Sequence, residues 1–323
     1  MLKEILLLML IILTLNANEF KKIDTLTLSG PMASVSHPLL HMIETNSLSD
    51  VADKIEFVMW KNPDELRALI LRSKADFIAV PTNVAANLYN KGVDIQLLNV
   101  SVWGILEMIT RDKEKKTLAD FKGCDIAMPF RADMPDIIFE EIVKKQGLDP
   151  QKDFNLKYVS SPIDAMQMLI LRRVDHALLA EPAISVALRK TNSFPLKLIA
   201  PDLYRSSDLQ KEWGEVFKIE GKIPLAGMAM IGQKNDYIIK RFNEEYTKSL
   251  QWYKTHPKKA GELVEKRIGM LNADAVTDSI EHAQLKSISA KESKADLEFF
   301  YNILKNNKPK SIGGELPSNG FYY

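Results

Sequence analysis

The sequence predicts an α/β protein of two lobes, each a mostly parallel sheet flanked by helices, with two crossover strands joining them. Three observations support this fold class. A capped helix followed by a short apolar strand occurs twice, about a hundred residues apart, after Asn62 and after Ser161. Strands and helices alternate in the same order around both copies, as they do in parallel α/β units. Two long β-prone segments, 101–110 and 224–232, lie where the chain would pass between the lobes.

The repeated unit is defined by its helix caps and turn residues. In each copy a polar N-cap precedes a proline at the first helical position, Pro63 or Pro162, and an acidic residue follows two places later. This arrangement satisfies unpaired amides and complements the helix dipole. Both copies also contain Leu-Ile-Leu-Arg, at 69–72 and 169–172. A tetrapeptide of common residues is weak evidence alone, so the argument rests on the caps and turns.

Apolar periodicity predicts the elements in chain order. For the first lobe they are strand 25–29, helix 34–45, strand 55–60, the first capped helix, strand 76–80, helix 83–89, strand 95–100 and the crossover strand 101–110. For the second they are strand 124–129, helix 134–146, strand 155–160, the second capped helix, strand 176–180, helix 182–190, strand 196–200 and a polar helix near 207–216. The crossover strand 224–232 then leads to helices at 236–255, 260–267, 274–282 and 291–306 and to an irregular tail.

These elements divide the chain into four parts. We expect a signal peptide at 1–17, the first part of lobe I at 18–110, lobe II at 111–222, and a return to lobe I with C-terminal helices at 223–323.

The N-terminus has the pattern of a secretory signal peptide. Lys3 precedes an apolar run from Ile5 to Leu15, and Asn16-Ala17 leads into a polar stretch. The run is shorter than a membrane-spanning helix requires, although an N-terminal anchor or a buried helix remains an alternative. We expect cleavage after Ala17. Because no cysteine stands directly after the segment, at the expected mature N-terminus, we expect a periplasmic protein without a lipid anchor.

The composition and the motifs of the sequence exclude several classes of protein. With 46% hydrophobic and 26% charged residues and a formal net charge of +1, the chain has no electrostatic footprint for nucleic acid or an anionic membrane. Cys124 is the single cysteine, so an intrachain disulfide and a cysteine metal cluster are impossible. The sequence lacks phosphate-loop, GxSxG, HExxH and GxGxxG motifs. We therefore expect no enzyme activity, no catalytic residues, no metal and no cofactor.

Three short sequence motifs, in this order, resemble those of a known family. They are Asp120-Phe121-Lys122-Gly123 before a strand, Gly147-Leu148-Asp149-Pro150, and Glu181-Pro182 before a helix. Together with the two lobes and the signal segment, they resemble the periplasmic substrate-binding proteins of ABC importers, in the group that handles nitrate, sulfonates, taurine and thiamine-pyrimidine precursors. The resemblance covers about residues 25–306. It implies a periplasmic-binding-protein fold, a ligand held between lobes that close by hinge motion, and no chemistry. The implied partners are a small-molecule ligand and an inner-membrane permease with its ATPase, and we expect a monomer that binds no nucleic acid.

In open parallel sheets, ligands bind beyond the carboxyl ends of the strands, where helix N-termini present free amides. This rule gives the candidate ligand-binding residues: Gly30, Met32, Ser34, Trp60, Thr82 and Asn83 in the first lobe, Trp103 on the first crossover, and Arg131, Asp133, Ser161 and Glu181 in the second lobe.

Each candidate also has a structural explanation. Arg131 could bind an anion in a bidentate fork or pair with Asp133 or Asp136. Glu181 could bind an amine or compensate a helix dipole. Asn83 and Ser161 are good N-caps, and the two tryptophans could stack on a ligand or pack in the core. Soft-metal binding or an adaptable apolar pocket could explain the methionines near the predicted cleft, Met32, Met128, Met134, Met228 and Met230; metal binding with His37 or His41 lacks a recognised ligand spacing.

The sequence therefore predicts a periplasmic solute-binding component of an ABC import system that captures a small, anionic organic solute. Two alternatives remain open: an enzyme of the menaquinone-pathway type on the same fold, and a ligand sensor for a membrane receptor. Such enzymes are cytoplasmic, so an exported chain would argue against them.

Overall fold

The computed structural model describes residues 21–323. The predicted signal peptide lies outside these residues. The strands are β1 (Ile23–Gly30), β2 (Ala52–Met59), β3 (Phe77–Pro81), β4 (Ile95–Leu97), β5 (Asn99–Gly104), β6 (Leu106–Thr110), β7 (Asp125–Pro129), β8 (Asn155–Val159), β9 (His176–Ala180), β10 (Tyr204–Asp208), β11 (Ala226–Ile231) and β12 (Gln284–Ser289).

The helices alternate with these strands. They are α1 (His37–Glu44), α2 (Pro63–Leu71), α3 (Thr82–Asn90), α4 (Met134–Lys145), α5 (Pro162–Ile170), α6 (Ala183–Thr191), α7 (Leu196–Ile199), α8 (Leu209–Phe217), α9 (Asp236–Thr255), α10 (Pro257–Ile268), α11 (Ala273–Glu281) and α12 (Lys294–Asn307). Among the described residues, none of the helices combines the length and apolar character needed to cross a membrane.

Two sheets form the cores of the two lobes, which confirms the predicted α/β architecture. The first has the order β12-β5-β11-β3-β1-β2, with β4 paired to β11, and the second has the order β10-β6-β9-β7-β8. In each sheet the strands on one side are parallel, β2-β1-β3 and β8-β7-β9. The remaining pairs are antiparallel, including β11 with β3 and β6 with β9. Both sheets are therefore mixed, and the prediction that each is mostly parallel was wrong. Each sheet therefore includes a strand that reaches it through a crossover from the other lobe: β11 in the first sheet and β6 in the second.

The two capped helices occupy the same position in the two sheets. Asn62 and Ser161 both cap from extended backbone, and a left-handed residue, Ser73 or Arg172, follows each helix. The two caps, Asn62 and Ser161, are as far apart in the sequence as the two left-handed residues, Ser73 and Arg172. The Leu-Ile-Leu-Arg copies are one residue further apart, so the tetrapeptides are not structurally equivalent. The structural repeat follows the caps and turns because these fix where each helix begins and ends.

The first connection between the lobes consists of two strands, where the sequence predicted one. The predicted strand 101–110 breaks at Ile105, with β5 in the first sheet and β6 in the second. Gln210 holds this break: its Oε1 accepts hydrogen bonds from the amides of Ile105 and Leu106 at 3.2 and 3.0 Å, and its Nε2 donates to the Leu106 carbonyl at 3.0 Å. The return segment lies alongside, since the Leu225 amide donates to the Val102 carbonyl at 3.0 Å. The two connections between the lobes are therefore hydrogen-bonded to each other.

The structure differs from the predicted elements at four other places. Residues 196–200 form helix α7 where a strand was predicted, and the exposed side chains of Phe194, Leu198 and Ile199 show that this segment packs on no sheet. Strand β10 occupies the start of the predicted polar helix, and β12 was missed. The fourth error is the predicted strand 95–100, which is divided between β4 and β5. Both missed strands pair antiparallel, β10 with β6 and β12 with β5, so long-range pairing stabilises them where local pattern gives no signal.

The lobes meet across the cleft at several ion pairs and hydrogen bonds. Arg67 of α2 donates to both oxygens of Asp133 before α4, each at 3.1 Å. On another side, Arg189 of α6 contacts Asp274 and Asp278 of α11. These contacts close the sides of a cavity between the lobes.

Candidate functional site

A cavity of about 390 Å³ lies between the two lobes, beyond the carboxyl ends of the parallel strands. In the first lobe it is lined by the segments that follow β1, β2 and β3, and in the second by those that follow β7, β8 and β9. The crossover residues Ile105 and Leu106 lie at its floor, together with Leu225 and Ala226. Its volume is in the range of small-molecule sites.

The lining of this cavity is almost entirely apolar. Of the described residues that line it, Lys61, Asp133 and Ser161 are the polar ones. The others are aliphatic, aromatic, methionine and proline residues, and the prolines are Pro31, Pro63, Pro81, Pro129, Pro135 and Pro162. Such a surface binds by excluding water from apolar groups, which is the main source of affinity in small-molecule pockets.

Four predicted site residues line the cavity: Met32, Trp60, Asp133 and Ser161. Trp60 is only 6% exposed, and its indole N–H donates to the Ala79 carbonyl at 3.3 Å, so the ring is fixed in place. Asp133 is buried, and burial raises the pKa of its carboxyl while the nearby Arg67 guanidinium opposes that shift. The structure thus brings together residues from both lobes.

Arg131 and Glu181 do not line the cavity. The Arg131 guanidinium lies 5.0 Å from the centre of the Tyr158 ring, a cation–π arrangement on the outside of the loop after β7. Glu181 is fully buried, where it accepts hydrogen bonds from the amide and hydroxyl of Ser185 and pairs with Arg205. Neither predicted pair of Arg131, with Asp133 or with Asp136, is formed. Asp133 pairs with Arg67, and Asp136 accepts from the Tyr158 hydroxyl.

The five remaining predicted site residues also lie outside the cavity lining. Thr82 donates from its hydroxyl to the Pro224 carbonyl at 2.5 Å, and the Trp103 indole donates to the Lys286 carbonyl at 2.9 Å. A Cβ at Gly30 would lie 2.1 Å from Ser36 Oγ, so this glycine permits close packing of α1. Ser34 is fully buried, and Asn83 lines a second cavity behind α3. All five belong to the scaffold around the site.

Several lining residues are not among the candidate ligand-binding residues chosen from the sequence. Phe130 lies on the loop after β7 with φ of 59°, a left-handed conformation that bulky residues rarely adopt and that favours glycine. Met134 and Met166 contribute from α4 and α5, and Met270 and Leu271 from the turn between α10 and α11. The loop after β7 could be found from the strand-end rule. The α10–α11 turn could not, because it is brought to the cavity by helix packing alone.

Side chains cap the N-termini of α2 and α5 at the cavity, whereas α3, α4 and α6 have no side-chain cap there. Asn62 Oδ1 accepts from the amides of Asp64 and Glu65 at 3.1 and 2.9 Å. Ser161 Oγ accepts from the Asp164 amide at 3.2 Å. Since the residues that begin α2 and α5 are prolines, no N–H exists at those positions.

Comparison with known proteins identifies the fold. No protein-family model matches the sequence, and no curated protein matches it. Among solved structures, an ABC transporter from Parabacteroides distasonis matches with a TM-score of 0.77 and 23% identity over 93% of this chain and 99% of that one.

Two other similar structures have functional names. The periplasmic aliphatic sulphonate binding protein SsuA from Escherichia coli matches with a TM-score of 0.64 and 18% identity over 91% of this chain and 93% of that one. The periplasmic nitrate-binding protein NrtA from Synechocystis PCC 6803 matches with a TM-score of 0.66 and 14% identity over 90% and 84%. The predicted resemblance is therefore confirmed in the fold, which these proteins share with this chain.

Proposed function

We propose that this chain is the periplasmic solute-binding component of an ABC import system and that it holds a small solute in the cavity between its lobes. The observation that carries the proposal is the cavity itself, which is lined by strand-end segments of both lobes and floored by the crossover residues Ile105 and Leu106, which would serve as the hinge. Opening at the hinge would separate these two sets of residues. The shared fold with binding proteins of import systems supports the same conclusion.

The prediction of an anionic solute rested on Arg131. Because Arg131 stacks on Tyr158 and lies outside the cavity lining, an anionic group is not part of this proposal. The partners are a permease and its ATPase in the inner membrane. The protein acts as a monomer and catalyses no reaction.

Ligand-dependent stabilisation tests the proposal. A solute present at about 100 times its Kd should raise the free energy of unfolding by about 2.7 kcal/mol, because it binds the folded chain alone. The mature protein should therefore show a higher melting temperature with some members of a broad panel of small metabolites, and native mass spectrometry of freshly purified protein should reveal a co-purifying molecule. No response across the panel, and no bound molecule, would contradict the proposal.

Export separates this function from the enzyme alternative. A full-length chain expressed in a Gram-negative bacterium should appear in the osmotic-shock fraction with a mass that corresponds to cleavage after Ala17. An unprocessed chain in the cytosol would favour the menaquinone-pathway type of enzyme.

A further inference from the structure

We propose that the cavity selects a neutral, largely apolar solute and discriminates against anions of the same shape. This inference rests on the proposed function, since it names the class of solute that the inter-lobe cavity would deliver. It separates this chain from SsuA and NrtA, whose names specify a sulphonate and nitrate.

The first argument is the scarcity of cations at the cavity. Among the lining residues in the described chain, Lys61 is the one cation, and its side chain lies at the exposed mouth. An exposed charge contributes little to binding because water and salt screen it. The guanidinium of Arg67 lies behind Asp133 and is engaged by both of its oxygens. An anion inside the cavity would therefore be desolvated without a buried cation to compensate it.

The second argument is the reduced number of free amides at the helix N-termini beside the cavity. Helix N-termini are the usual anion sites of such folds, because unpaired N–H groups point at the ligand. Here Pro63, Pro135 and Pro162 line the cavity at the first or second position of α2, α4 and α5 and have no N–H. At α6 the Ser185 amide donates to Glu181 at 3.2 Å. A proline therefore removes one amide at each of α2, α4 and α5, and one amide at α6 is already bonded, while α3, α4 and α6 have no side-chain cap.

The third argument is the presence of apolar contacts suited to a ring or an alkyl chain. Trp60 and Phe130 provide aromatic surfaces, and Met32, Met134 and Met166 provide polarizable side chains that adapt to irregular shapes. Ser161 is the uncharged polar group in the lining; its hydroxyl donates to Asp164 Oδ2 at 2.7 Å and accepts from the Asp164 amide at 3.2 Å, so its remaining lone pair can accept one hydrogen bond from a solute hydroxyl.

Matched pairs of competitors test the selectivity. The neutral fluorophore phenylnaphthylamine would serve as the probe, displaced by benzyl alcohol or benzoate and by octanol or octanoate, with nitrate and ethanesulfonate as further anions. We expect each neutral member to compete on the order of 100-fold more strongly than its anion. Burying a charge without a compensating cation costs several times the binding free energy that corresponds to a tenfold change in Kd.

Each outcome has a distinct meaning. Anions that compete as well as their neutral partners would overturn the inference and leave the proposed function standing. If that anion binding is lost in Lys61→Met, the lysine at the mouth is the anion site. If neither class competes and the probe itself does not bind, the proposed function fails together with the inference.

Two phenylalanine variants provide the matched control. Phe130→Ala removes a ring from the cavity lining and should weaken neutral competitors about 10-fold, as loss of a buried aromatic contact does. Phe194→Ala removes a ring that is 83% exposed on the surface of lobe II and should leave binding unchanged. Equal effects of the two variants would contradict binding in this cavity.

Discussion

At the scale of single residues, the loop after β7 decides which side chains line the cavity. Phe130 and Ala132 both have positive φ, at 59° and 61°, on either side of Arg131. This backbone directs the Phe130 ring into the cavity and the Arg131 guanidinium onto Tyr158. Side chains other than glycine are strained in this region, and such strain is concentrated at functional sites. The predicted role of Arg131 depended on a side-chain direction that residue type does not specify.

Replacing Ala132 with glycine should relieve this strain. We expect Ala132→Gly to raise the free energy of unfolding by about 0.5–1 kcal/mol, because glycine accepts positive φ without a Cβ clash. Ala68→Gly, within helix α2, is the matched control and should lower it by about 1 kcal/mol. Urea denaturation of the two variants measures both values. A loss of stability in Ala132→Gly would show that the loop is not strained.

At the scale of elements, the helix caps and the break in the first crossover determine the repeated architecture. The sequence predicted both caps correctly because a side-chain oxygen at the N-cap is a local interaction. It did not predict the break at Ile105, because the β-prone residues continue through it. Strand β5 ends there because the backbone amides of Ile105 and Leu106 donate to the side chain of Gln210. This residue is distant in the sequence.

The cap of α2 can be tested directly. Asn62→Ala should lower the free energy of unfolding by about 1 kcal/mol, because the amides of Asp64 and Glu65 lose their acceptor. Asn62→Asp keeps an oxygen in the same position and should stay within a few tenths of a kcal/mol of the parent protein. Thermal and urea denaturation give these differences. Equal losses in both variants would mean that the side-chain oxygen is not what stabilises the helix.

Gln210 provides a test of the hinge. Gln210→Ala should lower the free energy of unfolding by about 1–3 kcal/mol, because the buried amides of Ile105 and Leu106 lose their acceptor and the Leu106 carbonyl loses its donor. The exposed Gln251→Ala on α9 is the control and should change it by less than about 0.5 kcal/mol. A similar, small effect at both positions would exclude a structural role for Gln210 at the hinge.

At the scale of the whole molecule, the closed cavity depends on contacts between the lobes. Arg67 and Asp133 form one of these contacts beside the cavity, and Asp133 also lies near the carboxylate of Asp64. Burial raises the pKa of Asp133, and Arg67 opposes the shift. Asp133 therefore contributes most to stability below its unfolded pKa, and this contribution falls as pH rises through its folded pKa.

Removal of Arg67 should make this pH dependence steeper. In Arg67→Ala the Asp133 carboxylate is buried without a cation, so we expect a loss on the order of 2 kcal/mol near pH 7 that shrinks towards about pH 4. The half-exposed position of Arg67 keeps the loss below that of a fully buried pair. Adding Asp133→Asn should restore most of the stability near pH 7. Urea denaturation at both pH values measures the difference, and a loss that is independent of pH would assign the effect to packing.

Local chemistry in the sequence determined much of this protein: the α/β class, the two lobes, the caps of α2 and α5, and the loops that follow the strands. Met32, Trp60, Asp133 and Ser161 could be placed near the cavity because the ends of parallel strands meet at one edge of a sheet.

The tertiary structure alone decided the rest. It paired β10 and β12 antiparallel with distant strands, broke the crossover at Ile105, and turned Arg131 away from the cavity. It also brought Met270 and Leu271 into the lining from a turn far along the chain. The physical reason is the range of the interactions: caps and turns are satisfied within a few residues, whereas the lining and polarity of a cavity between lobes depend on side chains that only the folded chain brings together.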